Sequence, residues 1–252
     1  MITSYRRPLV RTAGALLALA SLTACGASAD DAAPEQRDFG PVGDRLTIVM
    51  DNGDLDVRPA DVDRVRVTRR FTRWSVVGTK PAAKWTINGD RLTLATDCGG
   101  LIGGCEVRYR VLVPRKAALS IEGENGKISA TGFGTALRIR GDNGAITVNG
   151  STGPLDLGSE NGELRATATR SARVSATSQS GKVTLSFDAV PQQVLTTTEN
   201  GEVTVEVPRA TYKVTTTTDS GEVRAGVPAD PASPRTITAR TENGSITLNT
   251  RR

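Results

Sequence analysis

The chain has little of several residue types that enzymes commonly use. Its 252 residues include no histidine, three cysteines and only 4% aromatic side chains. Without histidine it has no serine–histidine or cysteine–histidine nucleophile pair, and it lacks the commonest metal ligand of proteins. An apolar run over residues 13–20 is too short to span a bilayer as a mature helix. Catalysis by either kind of nucleophile pair is therefore excluded.

The N-terminus has the order of a secretory signal. Three arginines precede the apolar run: Arg6, Arg7 and Arg11. The run is followed by Leu22-Thr23-Ala24-Cys25, which matches a bacterial lipobox, whose cysteine is diacylated and becomes the first residue of the mature protein. We predict a signal peptide over residues 1–24 and lipidation at Cys25. The acylated Cys25 would then hold an extracytoplasmic protein on membrane lipid.

Two alternatives to this interpretation of the N-terminus remain open. An ordinary signal peptide could contain a cysteine by chance. The pair Arg6-Arg7 also resembles a twin-arginine export signal, although the flanking Tyr5 and Pro8 match that pattern loosely.

The mature chain that this signal peptide would leave is nearly neutral. Removal of residues 1–24 removes three arginines and no acids, which lowers the formal charge from +5 to +2. A nearly neutral mature protein lacks the basic footprint of a nucleic-acid binder, so we predict no nucleic-acid partner.

Residues 26–44 are small, polar and acidic, without an apolar period. We therefore predict that residues 25–44 are the lipidated cysteine and a flexible tether, with order beginning near Leu46.

The two remaining cysteines, Cys98 and Cys105, are separated by a glycine-rich stretch. Outside the membrane such a pair is more often oxidised than free, so we predict a disulfide between them. A metal site is the alternative, but two thiols without histidine make a poor one. We predict no metal and no cofactor.

A short motif recurs along the chain: an acidic or amide residue, then Asn or Ser, then Gly. The motif glycines are Gly53, Gly126, Gly144, Gly162, Gly181, Gly201, Gly221 and Gly244. From Gly126 onward their spacings are 18, 18, 19, 20, 20 and 23 residues. A fixed period of this kind is typical of repeat architectures. Glycine supplies the positive φ of a turn and asparagine tolerates it, so we interpret these pairs as structural turns.

Apolar residues occupy every second position on both sides of each turn, which indicates two strands with one buried face each. Asn-Gly is also a hairpin signal, and a hairpin would give the same alternation. A meander of such hairpins would leave its apolar face open, whereas stacked coils bury that face against one another. We therefore predict an all-β fold: a single β-solenoid of two-strand coils over residues 114–252. An irregular β-region over residues 45–113, with the disulfide, would cap its N-terminal end.

At the other end of the stack we expect Arg251 and Arg252 to protect the last exposed strand edge against further pairing.

The lipobox, the Cys98–Cys105 segment, the strand ending at Val113-Pro114 and the tandem repeats together resemble a known group. It is the bacterial putative-adhesin repeat family of unknown function, and the resemblance covers residues 44–250. The resemblance implies a β-solenoid on a surface or membrane-anchored protein. It also implies that no catalytic residues are assigned.

The turn acids could form a ladder of carboxylates about 4.8 Å apart, which a cation such as calcium could bridge. These acids are Glu124, Asp142, Glu160, Glu199, Asp219 and Glu242. The alternative, which we favour, is that they lie beside solvated turns. The threonine runs at 196–198 and 215–218 are interpreted as strand residues, with a glycan- or ice-binding face as the other option.

We predict a lipid-anchored, non-enzymatic, extracytoplasmic surface protein. Its solenoid would present a long face for adhesion to, or interaction with, cell-wall polymer, a surface protein or another surface ligand. The alternative is a carbohydrate-active enzyme built on stacked coils. Two acids off the repeat pattern in a groove would favour the enzyme, because glycoside hydrolysis uses a pair of carboxylates.

Overall fold

The computed structural model describes residues 28–99 and 101–251, so the predicted signal peptide and Cys25 lie outside the described residues. One short 3-10 turn, η1 (Ala29–Asp31), precedes the strands. The first seven strands are β1 (Glu35–Pro41), β2 (Arg45–Met50), β3 (Asp54–Ala60), β4 (Arg64–Val77), β5 (Ala82–Asn88), β6 (Arg91–Asp97) and β7 (Ile102–Pro114).

The repeats contribute the strands β8 (Ala118–Asn125), β9 (Ile128–Thr131), β10 (Leu137–Asn143), β11 (Ile146–Asn149), β12 (Leu155–Asn161), β13 (Leu164–Thr169), β14 (Arg173–Ser180), β15 (Val183–Phe187), β16 (Gln193–Asn200) and β17 (Val203–Pro208). The last four are β18 (Lys213–Ser220), β19 (Val223–Ala225), β20 (Thr236–Asn243) and β21 (Ile246–Arg251).

The strands form two sheets, with 11 strands in sheet A and 10 in sheet B within the described residues. Each repeat gives one strand to each sheet, and its turn connects the two. Neighbouring coils pair in parallel and in register, so that Ile128, Ile146 and Leu164 lie side by side. The apolar positions face inward and are buried, as at Ile121 and Ile139. The β-solenoid prediction is confirmed, and the hairpin alternative is wrong.

The N-terminal part is the irregular cap that the sequence predicted. The coil formed by β2 and β3 packs on β8 and β9, and β6 and β7 pair in parallel on its other side. Outside that layer, β4 and β5 pair antiparallel with β7 and β6. The change to antiparallel pairing ends the solenoid at this side.

Strand β1 contradicts the flexible tether expected over residues 25–44. It pairs antiparallel with β4 at the edge of sheet A. Phe39 is buried and meets the ring of Trp85 edge to face, with 6.4 Å between the ring centroids. Asp38 accepts hydrogen bonds from Arg66, whose guanidinium lowers the pKa of that carboxyl. One aromatic anchor and this ion pair order a segment whose composition alone resembles a linker.

The C-terminal coils do not stack in sequence order. The coil of β20 and β21 lies between the coil of β16 and β17 and the coil of β18 and β19. Strands β18 and β19 therefore form the exposed edges at this end. The expectation that Arg251 protects the last edge is wrong, and Arg252 lies outside the described residues. The residue types at the inward positions explain the order, because the coil of β20 and β21 has Ile246 and Leu248 where the coil of β18 and β19 has the smaller Val223 and Ala225. The coil with the weaker apolar face occupies the end.

The predicted disulfide is present between Cys98 and Cys105, whose Cα atoms are 5.2 Å apart. It connects the residue after β6 to the first part of β7, so it fixes the crossing from sheet B to sheet A in the cap.

The buried phenol of Tyr109 predicts a loss of stability in alkali. The ring is 2% exposed, and its hydroxyl lies 3.1 Å from Thr96 Oγ1. Burial raises the pKa of Tyr109. A raised pKa in the folded state contributes stability that is present below the unfolded value of about 10 and lost as pH rises through the folded pKa.

We therefore expect the free energy of unfolding to fall above about pH 10, and to fall less steeply in Tyr109→Phe. Urea unfolding from pH 8 to 11 measures this. The pH dependence of Tyr212→Phe is compared with that of Tyr109→Phe, because burial also raises the pKa of Tyr212. Parallel curves for Tyr109→Phe and the wild type would contradict the assignment.

Candidate interaction surface

The turn glycines form a continuous stack along one edge of the solenoid. A Cβ atom on Gly162 would lie 2.0 Å from the carbonyl oxygen of Gly144, and one on Gly201 would lie 2.1 Å from that of Gly181. From Gly126 onward every motif glycine meets the glycine of a neighbouring coil in this way, and Gly53 meets Val107. The predicted positive φ holds for six of the eight, but at Gly162 and Gly201 φ lies outside the left-handed range. Close approach between coils is therefore the shared reason for glycine.

The asparagines that precede these glycines form a side-chain ladder. Asn125 donates to Asn52 Oδ1 at 3.2 Å, Asn143 donates to Asn125 at 3.2 Å, and Asn161 donates to Asn143 at 3.3 Å. At the other end of the stack Asn243 donates to Asn200 at 3.0 Å. The ladder connects coils at the surface, so the motif asparagines stabilise the stack.

The predicted acid ladder lies next to the asparagines. Its members are all exposed: Glu124, Asp142, Glu160, Glu199, Asp219 and Glu242. In the described part of the chain, histidine, cysteine, aspartate and glutamate form no group of three or more that could hold a metal ion. Asp51 has a different role, because its carboxylate accepts from the backbone N–H of Thr96 at 2.8 and 2.9 Å. These hydrogen bonds connect β6 to the first turn.

The outer face of sheet A carries an in-register row of seven polar side chains, of which five have hydroxyls and two are arginines. Strand register places Ser129, Thr147, Arg165, Thr184, Thr204, Thr247 and Arg224 side by side in that order. Adjacent members are about 4.8 Å apart, the distance between neighbouring strands. A flat row with one constant repeat suits an extended ligand that also repeats.

A cleft of about 480 Å³ continues this face at the N-terminal end. Its walls include Arg70, Arg108, Arg110 and Lys127 together with Asp30, Asp54 and Asp56. Asp56 pairs with Arg58 at 3.0 Å and with Arg110 at 3.5 Å. Asp54 lies 4.0 Å from Arg108, which also pairs with Asp30. The acids of the cleft are thus held by arginines.

The sequence motifs do not reveal this cleft, because its walls come from η1, β3, β4, β7 and the start of β9. These elements are far apart in sequence, and the repeat pattern is weakest there. The alternating arginines of β4 and β7 were the available signal, since they share an outward face.

The outer face of sheet B is less uniform. Arg140 donates to the Asp156 carboxylate at 2.8 Å and to the Asp156 carbonyl at 3.0 Å. Leu195 is 40% exposed between Ser175 and Thr238 of the neighbouring strands. Sheet A therefore offers the longer polar row.

These features define a class: a β-solenoid with an antiparallel cap, flat polar faces and a stacked glycine edge. Residues 40–249 match the family model described as Toastrack DUF4097. The chain therefore belongs to the Toastrack DUF4097 family, and the family resemblance predicted from the sequence is confirmed.

Solved bacterial structures are also similar to this chain. A putative cell adhesion protein from Clostridium sporogenes ATCC 15579 is 15% identical, with a TM-score of 0.37; the match covers 87% of this chain and 99% of that one. A putative adhesin from Bacteroides fragilis NCTC 9343 is 13% identical, with a TM-score of 0.41 and coverage of 87% and 97%. No curated protein matches the chain. Among the described residues, no helix has the length and apolar character needed to cross a membrane.

Proposed function

We propose that this protein is a non-enzymatic surface protein, anchored by lipid at Cys25, that binds a repeating cell-wall polymer along the outer face of sheet A. The observation that carries the proposal is the in-register polar row on the outer face of sheet A, in which the hydroxyl side chains of Thr147, Thr204 and Thr247 share a face with Arg165. Hydroxyls both donate and accept hydrogen bonds, as the hydroxyl groups of a glycan do. The continuous sheet places successive members of the row at the constant strand spacing of about 4.8 Å.

The rigidity of this face supports the proposal. Its strands pair over seven successive coils, and the glycine stack and the asparagine ladder hold their register. A rigid surface loses little conformational entropy on binding, so many weak contacts can add up along a polymer.

The acids of the cleft bear on the alternative of a carbohydrate-active enzyme. Asp54 and Asp56 lie in a groove, as that alternative requires, but arginines contact both carboxylates. These contacts give the acids a structural role, so we favour binding without cleavage.

The test uses the full chain, purified in detergent and incubated with bacterial cell walls freed of membrane. Protein in the pellet and reducing sugar ends in the supernatant are measured together. We expect retention without release of sugar. Release above that of a heat-denatured sample would replace the proposal with the enzyme.

Paired variants locate the binding face. Thr147→Glu with Thr204→Glu places two charges three coils apart on sheet A. Thr177→Glu with Thr217→Glu does the same on sheet B. We expect the sheet A pair to weaken retention about tenfold, which corresponds to about 1.4 kcal/mol. The sheet B pair should be retained like the wild type. Equal losses, or a loss only in the sheet B pair, would exclude sheet A as the binding face.

A further inference from the structure

We propose that an exposed apolar tip on the cap contacts the membrane surface beside the lipid anchor and so sets the orientation of the solenoid. The apolar tip is formed by Trp74, Val76, Val77, Leu101 and Ile102, which are 58%, 73%, 46%, 91% and 50% exposed. This inference rests on the lipid anchor of the proposed function.

The tip is the end of a two-stranded ribbon. Strands β4 and β7 stay paired from Thr72 and Glu106 to Val77 and Ile102, beyond the point where the neighbouring strands of sheet A begin. The side chains of residues 73–77 are all exposed. Trp74 lies over Gly104, whose Cβ, if it had one, would be 3.0 Å from the indole nitrogen.

The ribbon is held in place although its side chains are exposed. The disulfide from Cys98 to Cys105 lies at its base. Arg73 donates to the carbonyl of Pro81 at 2.9 Å, which fixes the return of the chain after β4. A Cβ on Gly99 would lie 2.4 Å from the carbonyl oxygen of Thr79, so the two connections at the tip pack closely. The tip is therefore a built feature and does not depend on a partner to form.

The described chain begins beside this ribbon. The backbone N–H of Ala29 donates to Glu106 Oε2 at 3.1 Å, and Arg70 donates to the carbonyl of Asp30 at 2.6 Å. Ala29 follows Cys25 by four positions in sequence, a reach of at most about 14 Å. The distance along β7 from Glu106 to Ile102 is about 13 Å. An acyl chain on Cys25 can thus enter the same patch of bilayer that the tip touches.

The chemistry of the tip suits an interface between water and lipid. Tryptophan is enriched at that level of a bilayer, because its ring is apolar and its N–H is polar. Residues 72–84 contain Arg73, Lys80 and Lys84 and no acid. Basic residues beside an apolar patch favour anionic headgroups.

The ribbon also separates the acidic turn edge from such a surface. The turns begin level with Val107, and the five residues from there to Ile102 span about 16 Å. This exceeds the Debye length of about 8 Å at physiological ionic strength, so repulsion between the turn acids and anionic lipid is largely screened. Sheet A then stands clear of the membrane, where a polymer can reach it.

Tryptophan fluorescence tests the contact, because the chain has two tryptophans. The full lipidated chain is reconstituted into vesicles of phosphatidylglycerol and phosphatidylcholine whose acyl chains carry bromine. Trp85→Phe leaves Trp74 as the sole reporter, and Trp74→Phe leaves Trp85, which packs between Phe39 and Arg69. We expect bromolipid to remove about half of the Trp74 emission and little of the Trp85 emission, because only an interfacial ring comes near the bromines.

Further measurements separate the outcomes. In the Trp85→Phe background, Val76→Asp with Leu101→Asp should abolish quenching of Trp74, whereas Leu195→Asp on sheet B should not. Equal, weak quenching of both tryptophans in a lipidated sample would overturn this inference and leave the proposed anchor intact. Shielding of Trp74 from both bromolipid and aqueous iodide would overturn it too, since a second protein copy would then cover the tip. The mass of the N-terminal peptide reports on the anchor itself, and an unmodified Cys25 would overturn the lipid anchoring in the proposed function.

Discussion

Alanine at Gly162 is expected to lower the free energy of unfolding by about 3 kcal/mol, because its Cβ would overlap the neighbouring coil. That atom would lie 2.0 Å from the Gly144 carbonyl oxygen and 3.0 Å from Ser159 Oγ. The carbonyl belongs to the backbone of a strand-to-strand turn, so it cannot move aside without separating two layers. Urea unfolding of the purified full chain measures the loss through the shift of the midpoint.

Substitutions at two further glycines separate overlap with the neighbouring coil from backbone strain as the cause of the lost stability. Gly150 has φ of +64°, yet no described atom lies within 4 Å of a Cβ built on it. Gly150→Ala should therefore cost only about 1–2 kcal/mol, the strain of a left-handed alanine. Gly43 has neither constraint within the described structure, so Gly43→Ala should change stability by less than about 0.5 kcal/mol. If Gly162→Ala cost no more than Gly43→Ala, the close approach of coils would not explain the glycine at this position, because φ at Gly162 lies outside the left-handed range.

The layered fold could be predicted because its signals are local. Alternation on both sides of each turn identified the inward residues, and positions such as Ile139 and Leu157 are buried as expected. The need to bury the apolar face then favoured stacked coils over hairpins. The close contact between turns could not be derived in this way, since a positive φ explains glycine equally well in a single coil.

Non-local pairing accounts for the features that the sequence did not reveal. Phe39 is a single aromatic residue in an acidic segment, and its role depends on Trp85, which is 46 residues away. The cleft and the apolar tip likewise need β4 and β7 side by side. Each run that forms the tip is short, so neither resembles a membrane-binding segment by itself.

The order of coils was beyond prediction for a different reason. All repeats share one parity, so any coil can pair with any other. Small differences in the apolar content of the inward positions therefore decide the order in which the coils stack. Thr216 and Ala225 occupy inward positions that are held by Ala239 and Leu248 in the next repeat. The coil with the less apolar inward residues loses the least stability when it is exposed at the end of the stack.

The stacking order predicts different stability costs for alanine substitutions of Ile246 and Val223, each of which lies two positions after its turn glycine. Ile246→Ala is expected to cost about 3 kcal/mol, because Ile246 is fully buried between Val203 and Val223 and its loss leaves a cavity. Val223→Ala should cost less than about 1 kcal/mol, since Val223 is 40% exposed on the terminal coil. Urea unfolding of both variants provides the comparison.

The two costs distinguish the stacking orders directly. If the coils followed the sequence, Val223 would lie inside the stack and Ile246 at its end, and the larger loss would fall on Val223→Ala. Hydrogen exchange offers a second measurement on the wild type, because a terminal coil opens more readily than one with neighbours on both sides. The amides of β20 and β21 should therefore exchange more slowly than those of β18 and β19. Strands β20 and β21 would then be protected by a coil that precedes them in sequence.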